Sequence, residues 1–207
     1  MIIHHPIEQN TEAWHILRMD KFTASASDDL FKGKTTIGYN EAIDKIVHAL
    51  ITGERPNDFK GNKSTDRGHE LEPKAIKSYE NKTFRKVKPG GFYEYNKWIG
   101  CSPDGCVGED GLIEAKCREW KAMHTYLRTN ELLKKDNQQV QFQLFASGRK
   151  WVDFVAYHPE LGTMIIRVYP DPVIQASLAK ELGIAIAEVK KRVNQIQLTR
   201  GLPLMFV

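Results

Sequence analysis

The sequence predicts an α/β domain, a central mixed sheet flanked by helices, on three observations. A glycine-rich hairpin signal spans Trp98–Arg118, and side chains alternate along Leu112-Ile-Glu-Ala-Lys116. Two runs rich in strand formers, 151–159 and 164–169, are joined through Leu161-Gly162-Thr163 and read as antiparallel neighbours. Stretches of helical period surround these strands, clearest at 39–50 and 172–194. A chain of 207 residues is long enough for a substantial core, so one domain over 1–207 is expected.

Taken in order, Asn10 or Thr11 caps a short helix in which Trp14, Leu17 and Arg18 share a neighbourhood. Thr23 or Ser25 can cap a second helix, with Asp28 and Asp29 in the first turn that favours acids. Ala42, Ile43, Ile46, Val47 and Leu50 mark one apolar helix face. Gly53 and Pro56 open a polar loop to Thr65, and Asn57–Thr65 either contacts DNA or does nothing. A helix opens near Arg67 with Pro73 in its first turn, making Glu70 and Glu72 N-terminal acids. Thr83–Lys88 is a basic strand candidate, followed by the turn Pro89-Gly90-Gly91 and the aromatic run Phe92–Trp98. Basic residues interleaved with aromatics either line a DNA channel or form an ordinary strand.

Beyond the hairpin, 119–133 holds a helix or a loop entering one, and Asn130–Asp136 is a charged joint. The helix at 138–146, ended by Gly148, carries four glutamines. Gln138 and Gln141 share one side, Gln139 and Gln143 another. His158, beside Pro159, reads as a surface residue. Pro172–Asn194 forms a long helix that can bend at Leu182-Gly183-Ile184, and the apolar tail Leu202–Val207 packs on its own domain or on a neighbour.

Composition excludes little. With 41% apolar and 27% charged residues and a net charge of +4, the chain permits nucleic-acid binding without requiring it. There is no apolar run of roughly 18 residues and no signal-peptide pattern, so neither a membrane span nor export is expected. Cys101, Cys106 and Cys117 are odd in number and clustered, which fits a reducing, cytoplasmic compartment better than a disulfide framework. They lack a fourth ligand for structural zinc.

The chemistry concentrates in the hairpin. Trp98–Gly100 and Leu112–Ala115 flank a turn supplied by Gly105, Gly108 and Gly111. Glu114 and Lys116 share a strand face, and Asp104 can be carried across to them. Two carboxylates suit a hard cation, Mg²⁺ or Mn²⁺, and a lysine beside them can orient a water or stabilise a pentacovalent phosphorus. The plain alternative is a solvated strand face of alternating charge.

Gly100-Cys-Ser-Pro-Asp104-Gly105 followed by Leu112-Ile-Glu114-Ala-Lys116-Cys117 resembles the phage-type and YqaJ-like alkaline exonucleases, a branch of the restriction-endonuclease-like PD-(D/E)XK superfamily. The resemblance runs from about Trp14 to Tyr169. It implies the restriction-endonuclease-like core and a Mg²⁺ site formed by Asp104, Glu114 and the carbonyl of Ala115. Glu72, from Gly68-x-x-x-Glu72-Pro-x-Ala75, is preferred over Glu70 as the third carboxylate. Lys116 then acts on the attacking water, and Gln141, with Gln139 behind it, orders water or phosphate near the metal. Arg18 and Ser25, from the Arg-x-x-x-x-Thr-Ala-Ser element, bind a 5′-terminal phosphate.

The implied activity is 5′-to-3′ digestion of one strand of duplex DNA from 5′-phosphorylated ends, leaving 3′ overhangs for phage-type recombination in the host cytoplasm. The implied partners are a single-strand annealing protein and further copies of the chain, some relatives forming a ring-shaped trimer. A structure- or sequence-specific endonuclease on the same fold, and a non-catalytic DNA-binding relative, are the competing readings.

Overall fold

The computed structural model describes residues 1–56 and 63–206. Its strands are β1 (Ile3–His5), β2 (Phe22–Thr23), β3 (Lys88–Pro89), β4 (Phe92–Asn96), β5 (Ile99–Cys101), β6 (Gly105–Val107), β7 (Gly111–Cys117), β8 (Trp151–His158) and β9 (Gly162–Val168). Its helices are α1 (Glu12–Arg18), α2 (Ser27–Leu30), α3 (Ile37–Thr52), α4 (Lys63–Thr83), α5 (Trp120–Thr129), α6 (Lys134–Ser147) and α7 (Pro172–Thr199).

A five-stranded sheet has the order β3-β6-β7-β8-β9, and a four-stranded one the order β1-β4-β5-β2. The first is mixed: β7 and β8 run parallel, with Glu114 opposite Phe154, while the other pairs are antiparallel. A parallel pair needs a long crossover, and α5 and α6 supply it.

Period-two alternation divides the apolar residues of β7 and β8 between two cores. Leu112, Val152, Phe154 and Ala156 face the larger core, shared with the second sheet and with α3, α6 and α7. Ile113, Ala115, Trp151 and Val155 face a smaller core closed by Ala75 and Tyr79 of α4. The central strand β7 is therefore covered on both sides.

Several expectations change. Trp98–Gly100 is not the hairpin partner of β7. The strand there, β5, lies in the four-stranded sheet, and β6 pairs with β7 instead. The chain changes sheets across Ser102-Pro103-Asp104, where proline removes a ladder donor. Gly90 packs against this turn: a Cβ there would drive into the carbonyl of Pro103. Asp104, Glu114 and Lys116 therefore stand by the middle strand of a sheet.

Helix α4 begins at Lys63, so Pro73 is interior and Glu70 and Glu72 are mid-helix, not first-turn acids. Thr83 ends that helix, Phe84 takes φ +56°, and only Lys88–Pro89 of the basic run is strand. Asn57–Asn62 of the predicted polar loop lie outside the described residues. Thr11, not Asn10, caps α1, accepting from the Trp14 N–H. Neither Thr23 nor Ser25 caps by its side chain. Helix α7 runs unbroken through Gly183. The tail packs on its own domain, where Phe206 meets Trp98 and Asn194 holds the backbone of Met205 and Phe206. No helix among the described residues is long and apolar enough to cross a membrane.

Candidate active site

The sheet-switching turn brings Asp104 beside β7. Its backbone N–H donates to the carbonyl of Ile113 at 3.1 Å, and its Oδ2 accepts the Ala115 N–H at 2.7 Å. Strand alternation then places Glu114 and Lys116 on the face towards α6. Glu114 is 2% exposed, and a carboxylate that dry needs partners on both oxygens. It has three. Lys116 Nζ lies 2.5 Å from Oε1, Gln139 Nε2 donates to the same oxygen at 2.5 Å, and Gln143 Nε2 donates to Oε2 at 2.5 Å.

The electrostatics are those of crowded acids. Burial first, then the charges of Glu114 and Glu72, raise the Asp104 carboxyl well above the ordinary range, against the pull of Lys116 and the Ala115 N–H. Burial opposes the charge on Lys116, but Glu114 and Asp104 outweigh it and hold the ammonium above its usual pKa. Glu72 acts on both Asp104 and Cys117, whose thiol is raised to about 11 by burial and then by Glu72. Three carboxylates thus converge on β7, two from the strand side and one from α4.

Among the described residues, no group of three or more His, Cys, Asp or Glu stands assembled to hold a metal. The donor chemistry nevertheless fits a hard divalent ion. Glu114 and Glu72 raise the cost of ionising Asp104, a cost that a bound cation would relieve, and Lys116 already stands as a cation against Glu114. Asp104, Glu114, Glu72 and the Ala115 carbonyl are the residues that would hold such an ion. Cys101 and Cys106 are buried thiols, and no disulfide joins any of the three cysteines.

An expected result follows for Asp104. A carboxyl whose folded pKa is raised contributes stability below its unfolded pKa and loses it as pH rises through the folded value. Metal-free Asp104→Asn should therefore melt higher than wild type, with the gap widening as pH climbs from about 4. Each kcal/mol relieved is worth about 2–4 °C for a chain of this size. Thermal scans in EDTA across pH read it, and a constant gap would show that Asp104 carries no such penalty.

The glutamines correct the sequence reading. Gln141 does not approach the acids: its Nε2 donates to the Tyr169 carbonyl at 2.9 Å, and its Oε1 accepts from the Asp171 N–H and Gln175 Nε2. It ties the end of β9 to the start of α7. Gln143, not singled out from the sequence, takes the position beside Glu114, and Gln139 keeps its place next to the site. The usable signal was spacing, because residues four apart share a helix face and residues two apart do not.

A second cluster lies on α1 and the turn after β2. Arg18 Nη2 donates to Ser25 Oγ at 3.2 Å and Thr23 Oγ1 at 3.3 Å, and its guanidinium lies 4.1 Å from the Trp14 ring centroid. Burial and then Arg55 lower Arg18 to about 10. His15 is likewise lowered by burial, Arg55 and Arg18, against the pull of Glu12. A guanidinium beside two hydroxyls, with a second arginine acting on it, suits an anion. The cluster is linked to the turn that carries Asp104, since Trp14 Nε1 donates to Ser102 Oγ at 2.9 Å. Ser102 was within the quoted motif but had no assigned part. His158 lies in a turn, its Nδ1 bound to the N–H groups of Glu160 and Leu161.

The profile of the YqaJ-like viral recombinase domain matches residues 13–150, which hold both clusters. The chain belongs to that family. Like other restriction-endonuclease-like proteins, this YqaJ-like chain has a mixed sheet with helices on its faces. It is 27% identical to the alkaline exonuclease LHK-Exo from Laribacter hongkongensis, matching its crystal structure with a TM-score of 0.84 over 92% of this chain and 98% of that one. The complex of LHK-Exo with dAMP matches over the same shares at 27% identity, with a TM-score of 0.85. A phage-related exonuclease from Haemophilus somnus 129PT shares the fold at 16% identity and a TM-score of 0.64, over 85% of this chain and 96% of that one. No protein of curated function matches the chain.

Proposed function

We propose that the chain is a Mg²⁺-dependent deoxyribonuclease that digests one strand of duplex DNA in the 5′-to-3′ direction from 5′-phosphorylated ends. The observation that carries this reading is the linkage of two sites. The carboxylate–lysine cluster of β7 and the Arg18–Ser25 pair are joined through Trp14 and Ser102. The likeness to LHK-Exo, an alkaline exonuclease, supports the same activity. A 3′ overhang for recombination is then the product, and a single-strand annealing protein and a homo-oligomer, with a three-subunit ring as one form, belong to the same proposal.

In this mechanism the Arg18 guanidinium and the Ser25 hydroxyl bind the terminal phosphate and set the register of the strand. A bound divalent ion would neutralise charge on the scissile phosphate and lower the pKa of the attacking water. Lys116 holds a positive charge beside that phosphate and orients the water, whose oxygen bonds to phosphorus as the P–O3′ bond breaks. Gln139 and Gln143 fix the carboxylate of Glu114, so its geometry is set before substrate arrives.

Digestion of a linear duplex labelled at either end, with and without a 5′ phosphate, tests the reading. Wild type should degrade phosphorylated ends preferentially. Arg18→Ala should lose about 10- to 150-fold in kcat/KM on those ends, the loss of a hydrogen bond to a charged group worth about 1.5–3 kcal/mol. Ends without phosphate should be nearly unaffected by the substitution. Internal cuts indifferent to the end group would instead favour an endonuclease.

A further inference from the structure

Helix α5 leaves β7 only four residues after Lys116, and its two faces differ. Met123 and Tyr126 are fully buried, whereas Trp120 is 53% and Leu127 49% exposed. Trp120, Lys121, His124, Thr125, Leu127 and Arg128 line an open groove of about 570 Å³. Within it Lys121 Nζ lies 5.5 Å from the Trp120 ring centroid, and the His124 ring packs edge-on to the same indole at 5.5 Å. The helix itself contains no acid. Glu119, just before it, is engaged by Arg67 at 2.6 Å. Arg67 sits on α4, the helix that carries Glu72, so the start of α5 is tied to the helix that borders the acidic site.

We infer that this face of α5 binds unpaired DNA, with Trp120 as a platform on which a base stacks and Lys121 and Arg128 as phosphate contacts. Charge decides the class of occupant: an exposed indole flanked by cations, with no acid on the helix, complements a polyanion that carries aromatic rings. Position decides which strand. Bases within a duplex are already stacked on each other and cannot take up Trp120. On the proposed nuclease reading, the strand left unpaired as its complement is digested is released near β7, and α5 follows β7 directly in the chain. The inference thus rests on the proposed nuclease reading and adds a path for the retained strand.

The test is binding of a fluorescent oligothymidylate without 5′ phosphate, in EDTA, followed by anisotropy at several salt concentrations. Trp120→Ala should weaken binding about tenfold, the loss of one stacked base. Trp120→Phe, which keeps a ring, should recover most of it. Replacing Lys121 and Arg128 together by alanine should reduce the slope of log K against log salt by about 1.4, since each single-strand phosphate contact contributes about 0.7. Equal affinities for wild type and Trp120→Ala would overturn the inference while leaving the nuclease reading intact. Trp120-dependent binding by a wild-type protein that cuts no DNA in Mg²⁺ would overturn the nuclease reading and uphold the single-strand surface.

Discussion

Lys116→Ala is expected to bind Mg²⁺ more tightly than wild type and yet to cut DNA about 10³-fold more slowly. The two effects come from one contact. Lys116 Nζ lies 2.5 Å from Glu114 Oε1, so in the metal-free protein the lysine is the cation that compensates a carboxylate only 2% exposed. Removing it leaves Glu114 with the two amides of Gln139 and Gln143 but no positive charge. A buried carboxylate in that state is costly, and a divalent ion is the remaining way to neutralise it. Metal affinity should rise and the metal-free Tm should fall. Added Mg²⁺ should then raise Tm more than it does in wild type, by mass action.

Catalysis should respond in the opposite sense, because the charge proposed to act on phosphate and water in the transition state is gone, and loss of one such group costs about 10²–10³. Glu114→Gln separates the two roles: it should lose metal binding and cleavage together. Calorimetric titration with Mg²⁺ beside single-turnover digestion reads both quantities. Wild-type cleavage and unchanged metal affinity in Lys116→Ala would remove the lysine from both roles.

The residues that make this argument were unequally legible. Asp104, Glu114 and Lys116 could be read because they lie close in the chain, within a turn-and-strand pattern whose period fixes their faces. The Arg18–Ser25 contact was also legible, seven residues apart in one motif, and the structure brings the pair to 3.2 Å. What could not be read depended on packing between distant segments. Nothing local shows that β5 and β6, separated only by Ser102–Asp104, belong to different sheets. Gln139 and Gln141 are about 200° apart on a helix turning about 100° per residue, so they cannot serve one site together. The motif pairs them, whereas tertiary packing selects Gln139 with Gln143. Proline at 73 looked like a helix start because that is its usual place, and here the helix extends ten residues before it.

Asp153→Ala should be the most destabilising single substitution away from the acidic site, by about 3–5 kcal/mol. The strand Trp151–His158 was legible as a strand, but its one acid was not legible as a buried group. Asp153 is 1% exposed in the middle of β8, on the face towards α4. Arg167, its cross-strand partner on β9, donates Nε and Nη2 to the two carboxylate oxygens at 2.7 Å each, a bidentate pair. Tyr79 Oη of α4 adds a third bond at 2.7 Å, and burial, followed by this bond, raises the phenol well above its ordinary pKa.

The Arg167 guanidinium also lies 3.7 Å from the centroid of the Trp151 ring. Asp153 therefore joins β8, β9 and α4 at one point, and α4 is the element that carries Glu72. Alanine would strand the Tyr79 hydroxyl in the smaller core and leave Arg167 without its counter-charge. Because Arg167 is partly exposed, water can recover some of that loss, and Asp153→Asn, which keeps an acceptor for Tyr79, should cost less than alanine. At about 2–4 °C per kcal/mol, the alanine variant should melt roughly 6–20 °C below wild type. A drop of under 2 °C in thermal scans would mean that the network contributes little to holding α4 against the sheet. The seat of α4 would then rest on Ala75 and Tyr79 packing and on the bonds of Ser78 and Lys82 to Thr163.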